Sequence, residues 1–291
     1  MSINTTSLKN FLTIALQYVY PHHLVCRLLS FLAHLENEAW KDYMVKRFGK
    51  RYKVNTKEAI SRNLKRYPSF NSFFTRELKP GARPITELEC GVASPADGTV
   101  SQAGKISDGE LIQAKGKNYT VAALLGGEEQ RTDNFKEGMF TTIYLSPRDY
   151  HRIHMPFNGV LQETVHIPGR LFSFDQATVN AMPNLYAKNE RVVSFFDTEA
   201  GPMALVMVGS IFSSSIETVW DGIVTPPSYS EIRRWNYPYN PPSAKKGEEI
   251  GRFNRGSTVI LLFAKGAVEW ESTMISGNAV KMGALIGKVI S

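Results

Sequence analysis

The chain predicts an α+β protein, helical over its first third and built mainly of antiparallel strands after that. Three observations carry this. Apolar residues recur at helical spacing between residues 7 and 34. From about Ala93, short β-branched and aromatic runs alternate with Gly, Pro and Asn turns. Two Pro-x-x-Gly turns, Pro95-Ala96-Asp97-Gly98 and Pro156-Phe157-Asn158-Gly159, each lead into such a run.

Ser7 is placed to cap a first helix running through Tyr20, with Leu8, Phe11, Leu12, Ala15, Leu16 and Val19 on one face. Pro21 breaks it. A second helix, about His22 to His34, repeats the pattern with Leu24, Leu28, Leu29, Phe31 and Leu32. A third, about Asn37 to Phe48, is more charged, and its tail Lys46-Arg47-Phe48-Gly49-Lys50-Arg51-Tyr52-Lys53 carries five cations in eight residues. Strands are expected at Gly98–Ala103, Phe140–Leu145, Gly159–His166, Arg191–Phe196, Ala204–Ser210, Thr258–Ala264 and Ala284–Ile290. Thr225–Ser243, rich in Pro, Tyr and Trp, reads as an ordered loop or lid with little regular structure. Lys246-Gly247-Glu248-Glu249-Ile250-Gly251 echoes Lys281-Met282-Gly283-Ala284-Leu285-Ile286-Gly287. These Gly-punctuated turns resemble those of biotinyl/lipoyl-type barrel-sandwich domains.

Composition narrows the function. The 291 residues are 43% apolar and 21% charged, enough for one or two domains with a substantial core. Cys26 and Cys90 are the only cysteines, which excludes a disulfide framework and suits a reducing compartment. The formal charge of +7 fits an anionic partner. No Lys/Arg run interleaved with aromatics points to nucleic acid. No apolar stretch reaches the roughly 18 to 20 residues that span a bilayer. No small-residue cleavage site follows the Phe11–Tyr20 run, so a cleaved signal peptide is not expected. An apolar helical pair beside a basic segment has the composition of an interfacial membrane anchor, and equally of a helical layer packed on the core.

Three sets of residues could carry chemistry. Gly256-Ser257-Thr258 stands between Arg255 and the apolar run Val259–Phe263. A serine after a glycine can attack the preceding carbonyl when a base is near. The resulting ester can break by β-elimination to leave a chain that begins with a pyruvoyl group. Second, His151 and His154, two of six histidines, sit three apart with Asp149 close by. They could be a metal pair, but no third ligand has useful spacing; acid/base work suits them better. Third, Asp97 could orient a histidine that takes the serine proton, completing an Asp–His–Ser arrangement. A hydrolase using Ser257 as a stable nucleophile lacks the Gly-x-Ser-x-Gly elbow. A non-catalytic membrane-binding barrel is the third alternative.

Four segments together resemble phosphatidylserine decarboxylases of the bacterial and mitochondrial kind. They are the run Phe70-Asn71-Ser72-Phe73-Phe74-Thr75-Arg76-Glu77-Leu78-Lys79-Pro80-Gly81-Ala82-Arg83-Pro84, Ser94-Pro95-Ala96-Asp97-Gly98, the run from Pro147 to Pro156, and Gly256-Ser257-Thr258. They occur in the family's order and cover about residues 60 to 291. One departure is visible: the residue before Gly-Ser-Thr is typically Leu in bacterial members and here is Arg255.

The resemblance implies the following. Residues 1–65 form a helical membrane-associating region and residues 66–291 a catalytic, mainly antiparallel barrel-sandwich domain. The proenzyme cleaves itself between Gly256 and Ser257 into a β chain, 1–256, and an α chain, 257–291, which stay together. Ser257 becomes the covalent pyruvoyl cofactor; no metal is expected. His154, oriented by Asp97, is the base for cleavage, Asp149 supports the histidine pair, and His151 acts in decarboxylation. Phosphatidylserine is converted to phosphatidylethanolamine through a Schiff base with the pyruvoyl group. The implied partners are phosphatidylserine, the membrane surface and a second copy of the chain, with no nucleic acid. The implied location is peripheral, on the cytoplasmic face of the cell membrane.

Overall fold

The computed structural model describes residues 17–18, 21–114, 116–211, 215–226, 230–254 and 257–290. The first expected helix therefore lies outside the described residues except for Gln17 and Tyr18, as do Arg255 and Gly256. The architecture is α+β with antiparallel pairing throughout the named sheets. Among the described residues no helix is long and apolar enough to cross a membrane.

Helix His22–His34 has the expected bounds. Helix Glu38–Tyr52 is capped by Asn37, whose side chain accepts from Trp40 N, and runs four residues past the expected end. Lys50 and Arg51 complement the carbonyl end of the helix dipole, and the chain leaves through Lys53 in the left-handed region. The basic segment is thus largely helical. Both helices pack near the short helix Phe70–Phe74, around a small aromatic core of Tyr67, Phe70, Phe73 and Phe74 with Ala33 and Val45.

The large sheet runs Arg233–Asn236, Gly159–Ile167, Arg191–Thr198, Gly201–Val208, Ser257–Phe263, Met139–Leu145, Gly98–Lys105, Ala279–Val280, and Ser243–Ala244 also pairs with Gly159–Ile167. Ser257–Phe263 lies mid-sheet between Gly201–Val208 and Met139–Leu145. All seven of its residues are buried. Val259, Leu261 and Phe263 enter one core while Ile260 and Leu262 enter the other. That is the period-2 alternation of a strand covered on both faces, and it explains the unbroken apolar run.

The segment Thr225–Ser243 corrects the expectation of little regular structure. Arg233–Asn236 adds an edge strand, its Trp235 opposite Thr164, and Tyr237 donates its hydroxyl to Asp221. The exposed edge of Gly159–Ile167 recruits a segment with weak strand preference of its own.

The echo between the two Gly-rich turns is a local pseudo-twofold. Ala93 N donates to Pro156 O and His154 N to Pro95 O. Gly283 N donates to Ser94 O and Gly247 N to Met155 O. Ser94 N donates to Ala284 O and Met155 N to Glu248 O. Met282 N donates to the Asp97 carboxylate, and Lys246 N to the Asn158 side chain. Gly247 (φ +88) and Gly283 (φ +85) both face Ile85 so closely that an added Cβ would lie 2.8 Å from its side chain. The sheets remain open: among the described residues, hydrogen bonding closes no barrel.

Candidate active site

Strand register brings the candidate residues to one end of the central strand. Ser257 begins that strand and stands opposite Leu145. The loop carrying Asp149, Tyr150 and His151 leaves from Leu145. It returns as strand Arg152–His154, which pairs with Glu249–Phe253, and Phe253 N donates to His151 O. His151 is therefore tied to the segment that leads into Ser257. Asn254 is fixed there by Asn71 Nδ2 at 3.0 Å and by its own N–H on Ser215 O.

The Ser257 hydroxyl is buried and has no hydrogen-bond partner among the described residues; the same holds for Thr258 Oγ1. An unpaired buried hydroxyl costs about 1–3 kcal/mol, so a polar atom left this way inside a core is an exception that asks for a chemical reason.

His151 and His154 differ in a way their spacing does not reveal. His151 Nδ1 lies 2.9 Å from Asp149 O, and a carbonyl can only accept, so Nδ1 carries the proton. Its Nε2 is then a lone pair, buried and without a partner among the described residues. Burial, with the Arg76 charge assisting, pushes the ring pKa down to about 3, so it is neutral at physiological pH. Phe74 packs against the ring at 4.2 Å between centroids. His154 Nδ1 donates to Gly247 O at 2.8 Å, and its Nε2 accepts from the Tyr150 hydroxyl at 3.0 Å. Burial lowers its pKa as well. His151 thus offers a free basic nitrogen, while that of His154 is capped.

Asp97 does not orient His154 in this structure. Its carboxylate accepts from Arg83 Nε at 2.8 Å and Nη2 at 2.6 Å, from Met282 N at 2.9 Å and from Lys281 Nζ at 3.2 Å. Both ring nitrogens of His154 are occupied by Gly247 and Tyr150. Burial pushes the Asp97 carboxyl up, but these donors outweigh it and hold the group below the usual carboxylate range. Asp149 meets His151 through its backbone carbonyl; its carboxylate accepts from Ser146 N and Oγ at 2.8 and 2.6 Å. Arg83, Asn71, Phe74 and Arg76 all lie in the Phe70–Pro84 run, and their positions beside Asp97, Asn254 and His151 were not apparent from spacing. Tyr150 was missed for the same reason.

Fold and site define an α+β protein with a buried serine hydroxyl at the head of its central strand and a neutral imidazole tied to the segment that leads into that strand. The family model for phosphatidylserine decarboxylase matches residues 70–288, and a second, described as PSD, matches residues 12–53. Three relatives carry the name phosphatidylserine decarboxylase proenzyme. That of Bordetella avium is 49% identical, covering 95% of this chain and 94% of the relative. That of Vibrio parahaemolyticus is 50% identical over 93% and 96%, and that of Pseudomonas putida strain GB-1 48% over 97% and 99%. The chain belongs to the phosphatidylserine decarboxylase family.

Proposed function

We propose that this protein decarboxylates phosphatidylserine to phosphatidylethanolamine, after cleaving itself between Gly256 and Ser257. The observation that carries the reading is the buried, unpartnered Ser257 hydroxyl at the head of the central strand, in a chain of this family. The hydroxyl attacks the Gly256 carbonyl and gives its proton to a base, and the Gly256–Ser257 C–N bond breaks as the Ser257 nitrogen takes up a proton. The ester formed breaks by β-elimination: the Cα of residue 257 loses its proton, the Cβ–Oγ bond opens and Gly256 leaves as a carboxylate. Residue 257 then takes up water and loses ammonia to become the pyruvoyl group. A hydroxyl spared from hydrogen bonding fits this use, because nothing competes for its lone pairs. A pyruvoyl group at position 257 supplies a carbonyl that captures the primary amine of the serine head group and accepts the electron pair left when carbon dioxide departs.

The protein's own residues handle the protons. The family resemblance gives His154 the cleavage step, and for that Tyr150 must release Nε2. It gives His151 the delivery of a proton to the former α-carbon after carbon dioxide leaves. The free Nε2 of His151 favours a second reading, in which His151 is also the cleavage base. Asp149 supports His151 through its carbonyl, and Asp97 acts through Arg83 and Met282.

The reading extends to a peripheral protein at the cytoplasmic face of the cell membrane, with residues 1–65 membrane-associating and 66–291 catalytic. Its support is an exposed apolar stripe, Leu24 (68% exposed), Leu28 (58%) and Phe31 (64%), at helical spacing. The exposed cations Lys46, Arg47, Lys50, Arg51 and Lys53 follow on the next helix and its cap. The barrel-sandwich kinship of the catalytic part draws on the pseudo-twofold turns. A homodimer rests on the resemblance alone.

Intact mass under denaturing conditions tests the reading. Wild type is expected as two chains split before residue 257 and Ser257→Ala as one, with carbon dioxide released from phosphatidylserine by wild type only. A single wild-type chain with an unmodified Ser257 would defeat the proposal. His151→Ala and His154→Ala decide the base: whichever blocks cleavage holds that role, and loss of turnover with cleavage intact marks the other.

A further inference from the structure

Arg76 is a buried cation that makes no ion pair among the described residues; the carboxylates of Asp97, Asp149 and Glu58 act on it only at longer range. It is 3% exposed. Its terminal nitrogens reach only backbone carbonyls: Phe74 O at 3.4 Å, Arg148 O at 3.1 Å and Asp149 O at 3.4 Å. Its Nε has no hydrogen-bond partner among the described residues. A buried charge left in this condition is costly unless an anion completes it.

Arg76 lines a cleft of about 210 Å³ that also takes in Lys53, Arg83, Arg148 and Lys281. The acids along it are already committed. Asp97 is held by Arg83 and Lys281, Glu58 by Arg83, and Asp149 by Ser146. Lys53, Arg76 and Arg148 make no ion pair among the described residues, so an excess of positive charge faces the cleft.

Position gives this charge a use. Arg76 Nη2 and His151 Nδ1 both reach the carbonyl of Asp149, so the cleft and the neutral imidazole meet at one atom. Lys53, which also lines the cleft, is the cap residue of the basic helix Glu38–Tyr52. The cleft thus joins the region proposed to associate with the membrane to the carbonyl that holds the imidazole proposed to serve the reaction. A lipid head group entering from the membrane has a single anionic centre between its glycerol and its amine-bearing end. A guanidinium with a free Nε, backed by two flexible cations, suits such a group.

We propose that the Lys53–Arg76–Arg148 cleft binds the phosphodiester of the lipid head group and so sets the distance between the lipid's amine and residue 257. This rests on the decarboxylase reading, and the test separates the two. The probe is glycerophosphocholine, which keeps the phosphodiester but has no primary amine, titrated calorimetrically into the full-length protein beside choline and inorganic phosphate. Glycerophosphocholine is expected to bind and choline not to bind. Lys53→Gln with Arg148→Gln, both at exposed positions, is expected to weaken glycerophosphocholine about tenfold or more, at roughly three- to fivefold per cation. The same variant is expected to raise KM for phosphatidylserine in neutral detergent micelles by a similar factor, leaving kcat within about twofold. Arg76→Lys keeps the charge but loses the fork and part of its carbonyl contacts, and should weaken glycerophosphocholine binding and also lower the melting temperature. Unchanged binding and KM in the rim variant would overturn the proposal, as would inorganic phosphate binding more tightly than glycerophosphocholine. Phosphodiester binding by a protein that releases no carbon dioxide would support the cleft and sink the decarboxylase reading.

Discussion

At the scale of the residue, the site turns on which polar atoms are satisfied. Asp97 is fully engaged, and its partners lie on both sides of the proposed cleavage point: Arg83 before it, Lys281 and Met282 after it. Asp97 reads as a clamp between the two future chains. Asp97→Asn should cost about 3 kcal/mol, the low end for removing one member of a buried pair, because Arg83 keeps Glu58. Thermal melting beside chain cleavage checks this. A variant that melts normally and fails to cleave would return Asp97 to the role of orienting a histidine. The sign of the pH effect follows from the lowered carboxyl: the clamp's contribution is present at neutral pH and is lost as pH falls through that lowered value. His151 acts on the same side. Its pKa is about 3 when folded, against about 6.5 unfolded, so the unfolded chain takes the extra proton below about pH 6.5. Stability should therefore decline from about pH 6.5 downward, and His151→Gln should flatten the upper part of that decline in melting scans. An equal decline in the variant would place the neutral imidazole elsewhere. The residue types were legible in the sequence. Their partners were not, because Asp97 meets Met282 across 185 positions and Arg83 across 14.

At the scale of the element, the central strand explains how a cleaved protein stays whole. Ser257–Phe263 is hydrogen-bonded along both edges and buried on both faces, so breaking the bond before residue 257 leaves a strand that cannot easily depart. Each large apolar side chain it buries is worth about 1.5–3 kcal/mol. The pseudo-twofold turns carry their own test. Gly247 and Gly283 take left-handed backbone and both press on Ile85, Gly283 on the Pro84 carbonyl as well. Gly247→Ala or Gly283→Ala should each cost about 2 kcal/mol, from the left-handed penalty and the collision together. With Ile85→Ala added, the Gly247→Ala cost should shrink, a coupling that a double-mutant cycle of melting data detects. Simple additivity would mean that Ile85 yields without strain. The seven expected strands were readable from β-branched and aromatic runs between turns to within three residues at either end, while shorter ones such as Arg152–His154 and Glu249–Phe253 were not. The edge strand Arg233–Asn236 was not either, since it forms only because Gly159–Ile167 offers an unpaired edge.

At the scale of the whole molecule, the helices at the start of the chain do two things. The aromatic core around Phe70, Phe73 and Phe74 ties them to the site, where Phe74 meets His151. Their outer face leaves Leu24, Leu28 and Phe31 in solvent beside a cationic helix. Replacing all three with Ser should reduce binding to vesicles containing anionic lipid at least tenfold, with the helical circular dichroism retained. Wild-type binding should also weaken as salt rises, since the cations contribute through a screened field. Vesicle binding unchanged in the triple variant would move the membrane contact elsewhere on the surface.

By itself the sequence determined what kind of chemistry this protein is equipped for and which strand carries it. Those properties are local: a Gly-Ser bond before an apolar run, two histidines three apart, β-branched and aromatic runs between turns. Only the tertiary structure decided which of these two histidines has a free nitrogen, that Asp97 holds Arg83, Lys281 and Met282 instead of His154, and that Arg76 is buried without an ion pair among the described residues. Hydrogen bonds and desolvation join positions far apart in the chain, so these properties have no local signature to read.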